Sequence, residues 1–242
     1  PGVNVQFTFT DPGAFPANLA LIPYKGHGSS RISIGAANNL SGPGAGAVGI
    51  ALFDPNNAFQ NDNTLPPGNY SNVTVSTRLG VFPHTLFTLS INVIGSRFRT
   101  LFDPIIDHRG IPVGEHVVGK GDRQRLIDLT NNTGTPDTRQ NQIETAIDSF
   151  ARFLAVVVAH ECGHSVGLVK DGAMPAGLYG GDAVHFPGST AGHISLTSTT
   201  IFPAGATEIM APSLSLRGVL HESTAFNPLI LAYLRERALY DN

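Results

Sequence analysis

The sequence predicts an α+β protein. Three observations carry that expectation: period-two runs confined to the first two thirds, one long helical pattern after them, and a short amphipathic pattern near the end. Val3 to Thr10 (VNVQFTFT) alternates apolar and polar residues, as a strand with one buried face does, and Asp11-Pro12-Gly13 ends it with turn chemistry. Ala47 to Phe53 reads as a buried strand closed by Asp54-Pro55. Val73 to Thr77 and Leu86 to Val93 alternate again, with a break at Pro83, and Asn56 to Ser71 between these runs reads as a long polar loop.

Thr130 to Asp137 (TNNTGTPD) is a loop by composition. Beyond it Ile143, Ile147, Phe150, Leu154, Val157 and Val158 recur at helical spacing, and neither Pro nor Gly interrupts Gln140 to Cys162. One helix from about Thr138 to Val166 follows, buried mostly in its second half and stopped by Gly167. Lys170 to Pro203, rich in Gly, Ser, Thr and Pro, should be loop. A last amphipathic helix is expected from about Asn227 to Leu239, with Leu229, Leu231, Leu234 and Ala238 apolar and Arg235 to Arg237 solvated.

Composition removes several function classes. At 242 residues the chain can bury a substantial core as one domain. A net charge of −3, with lysine only at 25, 120 and 170, gives no basic patch for nucleic acid or an acidic membrane. The longest apolar run, Phe153 to Ala159, is far below the roughly 20 residues of a membrane span. Cys162 stands alone, so no internal disulfide forms and a cysteine-rich zinc site is excluded. The turn-rich composition leans toward an extracellular or secreted protein, and the start at Pro1 toward a mature form or an excised domain.

The informative segment is Val158-Ala-His-Glu-Cys-Gly-His-Ser-Val-Gly167. His160 and His164, four apart on a helix, rise from adjacent turns on one face, where two imidazoles can share a zinc ion. Glu161 is rotated off that pair, so its carboxylate lies beside the metal, placed to take a proton from metal-activated water and pass it to a leaving amine. This is the H-E-x-x-H pattern. Without a metal, burying the trio would strand a carboxylate at a cost of several kcal/mol.

On these residues the chain resembles the metzincin clan of zinc metallopeptidases. Gly167 matches the clan's turning glycine, and Glu208 to Ser213 (EIMAPS) looks like its methionine turn, with Met210 beneath the metal. The clan's usual third histidine would fall at position 170, which is Lys170, so the chain looks like relatives with a longer linker. His193 is the first choice for the third ligand and His185 the alternative, with Asp171 and Asp182 behind them; the residues alone do not decide. A gluzincin arrangement would instead recruit Glu208 or Glu222, and the Gly-Thr-x-x-Asp element of some aspzincins is absent.

The resemblance implies one metallopeptidase catalytic domain over residues 1–242. It would comprise a β-rich upper lobe with the active-site helix (1–167) and an irregular lower lobe with a terminal helix (168–242). One catalytic Zn2+ is implied, with an extended peptide or protein substrate pairing with an edge strand of the upper sheet. The rival expectation is a non-catalytic, zinc-stabilised binding or adhesive domain, which has no use for Glu161. A zinc hydrolase of non-peptide amides is a third. His84, His108 and His116 lack ligand spacing and read as structural or surface residues, and Cys162 as a packed small residue. Asn39, Asn69, Asn72 and Asn131 carry glycosylation signals that matter only in a glycosylating host.

Overall fold

Helix formation starts where a side chain replaces a missing backbone partner. In the structure, a computed structural model, Asp137 is extended (φ −104°, ψ 174°) and its carboxyl accepts the Gln140 N–H at 2.7 Å, capping a helix over Thr138–Ser165. The structure describes residues 7–10, 30–42, 44–54, 63–65, 67–68, 72, 77–86, 119–169, 171–172, 192–193, 206–211, 213, 219–220, 223–226 and 230–235.

Among these the elements in chain order are β1 (Ser33–Ile34), β2 (Gly49–Ile50), β3 (Thr64–Leu65), β4 (Thr77–Arg78), β5 (Gly80–Val81), α1 (Gly119–Asn131), α2 (Thr138–Ser165), β6 (Ala206–Glu208) and β7 (Ser223–Ala225). The result is a mixture of helices and small sheets compatible with the α+β class. No described helix is long and apolar enough to cross a membrane.

β5 lies between β1 and β2, parallel to the first (Ser33↔Gly80) and antiparallel to the second (Gly49↔Val81). β2 is therefore an edge of this sheet. α2 packs on it through Phe153, Val156 and Val157, which bury against Val81, Leu86 and Val219. Ile143, fully enclosed, contributes about 1.5–3 kcal/mol by its burial. β3 and β4 pair antiparallel over a smaller cluster of Leu40, Leu65 and Leu79. On the other side of α2, β6 and β7 run parallel. Leu168, Val169, Ile209, Met210, Ile230 and Tyr233 form a separate core there.

Several expectations change. The apolar run from Ala47 to Phe53 ladders over Gly49–Ile50 alone. Its next backbone groups go elsewhere: Leu52 N–H donates to the buried Asn63 Oδ1 at 2.6 Å, and Asp54 N–H to His164 O at 3.3 Å. Phe7 to Thr10 form no strand, and Phe7 and Phe9 are exposed; Val3 to Gln6 lie outside the described residues. Leu86, expected to open a strand, instead closes a helical turn begun at Pro83, its N–H donating to Phe82 O at 3.2 Å. Residues 87–93 lie outside the described set.

The terminal helix, described over 230–235, buries Ile230 and Tyr233 and leaves Leu231 exposed. Leu234 packs partly against the same core and Arg235 is exposed, as expected, so only Leu231 departs from the expected face among the described residues. The β6–β7 pair, which no sequence pattern pointed to, begins just beyond the expected loop from Lys170 to Pro203.

α1 was not expected at all, because Leu126, Ile127 and Leu129 give it little apolar periodicity. Ion pairs make up the difference: Arg125 reaches Asp137 at 2.6 Å and Asp122 at 3.3 Å, and Arg139 reaches the buried Asp122 at 3.1 Å. These tie α1 to the first turn of α2, and the loop between them starts two residues later than composition suggests.

Candidate metal centre

The C-terminal turn of α2 sets the site. Gly167 takes φ +93°, a conformation costly for any residue with a Cβ. Gly167 N–H then donates to His164 O at 3.0 Å and Leu168 N–H to Gly163 O at 2.9 Å, the paired bonds of a Schellman cap. This reversal turns the Leu168 carbonyl back onto the helix, where it accepts the His164 Nδ1–H at 2.9 Å. His160 Nδ1–H donates in the same manner to Ile209 O at 2.6 Å, from the turn after β6.

Those two bonds fix the tautomers. A carbonyl can only accept, so each Nδ1 carries the proton and each Nε2 presents a bare lone pair. The ring nitrogens converge: His160 Nε2 lies 3.1 Å from both His164 Nε2 and His193 Nε2. The ligand atoms of all three residues fall within 4.8 Å of one another. Burial, together with the neighbouring His160 and His193, holds the His164 imidazole down to about 3. Burial also lowers His160, against the raising effect of its bond to Ile209 O. Both rings are thus neutral near pH 7, the form that binds a cation.

Met210 is fully buried, its thioether pressed on Gly163 between the two helical histidines, with Cε 3.2 Å from where a Cβ of Gly163 would sit. Glu208, weighed as a ligand, instead closes this turn, its Oε1 accepting Met210 N–H at 3.0 Å.

Glu161 is 3% exposed and lies against β2. Gly49 approaches so closely that a Cβ there would overlap the Glu161 carboxyl. Burial pushes that carboxyl up to about 8, against the opposing pull of the Ala51 N–H that bonds it. A divalent ion beside it would favour the charged form. Glu161, the three histidines and the β2 segment from Ala47 to Phe53 line one open cleft of about 560 Å³.

The structure thus brings together His160, Glu161, His164, His193 and Met210. Asp171 stands outside the histidine group, its Oδ1 accepting Gly192 N–H at 2.7 Å. His185, Asp182, Lys170, Glu222, His108 and His116 lie outside the described residues. His84 sits on the Pro83 turn, its N–H donating to Ala36 O, away from the group. Gly49, Ala51, the Ile209 and Leu168 carbonyls and the Asp171–Gly192 contact carry no local sequence signal.

The donor set defines the class: three imidazoles in a partly buried group that can hold a metal ion, zinc among the candidates. No protein family, curated protein or solved structure matches this chain.

Proposed function

We propose that the chain is a zinc-dependent endopeptidase of metzincin-like build, with His160, His164 and His193 as ligands and Glu161 as general base and acid. The observation that carries the reading is the convergence of three histidine Nε2 atoms in the same cleft as a buried carboxyl that is not one of the group. Three protein ligands with an open side is the pattern of catalytic zinc, whereas structural sites are closed by a fourth.

Zinc bound there supplies Lewis acidity and makes water easier to deprotonate. The remaining work falls to the chain. Ala51 N–H and the approach of Gly49 orient Glu161, which takes a proton from the attacking water and returns it to the departing amine. β2 is an edge of its sheet and its segment lines the cleft, a placement suited to an extended peptide laid along it.

Glu161→Gln tests the assignment: peptide hydrolysis should fall by about 10²–10⁴-fold with zinc content unchanged. Hydrolysis at the wild-type rate by that variant rejects the role, whereas a zinc-loaded wild type that cleaves no peptide favours a domain in which the metal only stabilises the fold.

A further inference from the structure

The chain between the turning glycine and the third histidine is long, yet its base is closed. Asp171 Oδ1 accepts Gly192 N–H at 2.7 Å, and Val169 N–H donates to Gly192 O at 3.3 Å. Both backbone polar groups of Gly192 are thus held by the segment that has just left α2. Gly192 is buried at φ +74°, and a Cβ there would sit 3.0 Å from His164 Cε1 and 3.1 Å from His164 Nδ1. The residue before His193 is therefore pressed against the ring of another histidine of the group, while His193 Nε2 reaches His160 Nε2.

Resting on the metal site proposed above, we infer that Asp171 is its positioning residue, acting through the Gly192 amide to deliver His193. The contact spans 21 residues of sequence, so it replaces by a tertiary clamp what a shorter linker would achieve by covalent geometry. Asp171 is itself exposed, and its loss removes the clamp without opening a core.

The test is competitive Zn2+ titration of the full chain, stripped and reloaded, for wild type, Asp171→Ala and Asp171→Asn, with Co2+ absorption reporting ligand number. Asp171→Ala should weaken zinc binding about tenfold, the low end of the loss for groups that support ligands, and the cobalt spectrum should show a more open coordination. Asn keeps an Oδ1 acceptor, so Asp171→Asn should stay within about threefold of wild type, since a hydrogen bond and not a charge is being replaced.

Asp171→Ala binding as tightly as wild type overturns the inference alone, leaving the zinc site intact. Asp171→Asn as weak as Asp171→Ala also overturns it, because the carboxylate would then act by its charge. Wild-type protein that takes up no zinc defeats the metal site and this inference together.

Discussion

Gly49→Ala probes the contact between the sheet and Glu161, the proposed general base. A Cβ at this position would overlap the Glu161 carboxyl and lie 2.8 Å from Val157 Cγ1. Glu161 and Val157 are 3% and 4% exposed, so neither side chain can swing into solvent to make room. Either β2 withdraws from α2 or Glu161 rotates away from Ala51. Overpacking of this kind costs about 1–3 kcal/mol of stability. A shift of Glu161 on the order of 1 Å costs about 10²-fold in rate. The atoms a new methyl meets first belong to Glu161 and Val157, not to a histidine, so zinc affinity should hold. The assay is kcat/KM on quenched-fluorescent peptides, with zinc per chain and thermal unfolding measured on the same preparation. A variant that cleaves within about twofold of wild type and melts within the ±0.5 kcal/mol of an innocuous surface change refutes the reasoning.

Met210→Ala removes a fully enclosed thioether beneath the histidine pair. It should destabilise the metal-free chain by about 2–5 kcal/mol, read from denaturant unfolding; no change would mean the turn bears no packing role. Acid should reveal the helix cap. The Arg125 guanidinium first, then the Gln140 N–H, hold the exposed Asp137 carboxyl down to about 2. A folded-state value below the ordinary one of about 3.9 stabilises the fold above that pH, and the contribution disappears as pH falls toward about 2. Unfolding curves of wild type and Asp137→Asn should therefore differ at neutral pH and converge across that window; a constant gap would contradict the assignment.

The parts of the molecule legible in the sequence are those decided by neighbours in sequence. α2 begins beside Asp137 and ends before Gly167 because a cap, a helical period and a positive-φ glycine are local matters, and the i,i+4 spacing of His160 and His164 follows from helix geometry. The third histidine was not decidable between His193 and His185, since its delivery depends on a contact between Asp171 and Gly192 that no local pattern encodes. The apolar run at Ala47 to Phe53 looked like a full strand because hydrophobicity is visible. The competition for its backbone from Asn63 Oδ1 and His164 O is not. α1 escaped notice for the opposite reason, being held by charge pairs to residues 12 to 17 positions away instead of by an apolar stripe.

The most direct measurement is an anomalous-difference map at the zinc edge from crystals of chain purified without chelators. The account predicts one strong peak at about 2.0–2.1 Å from the Nε2 atoms of His160, His164 and His193. A peak joined to the helical pair by His185 in place of His193, or no peak between the three rings, contradicts it.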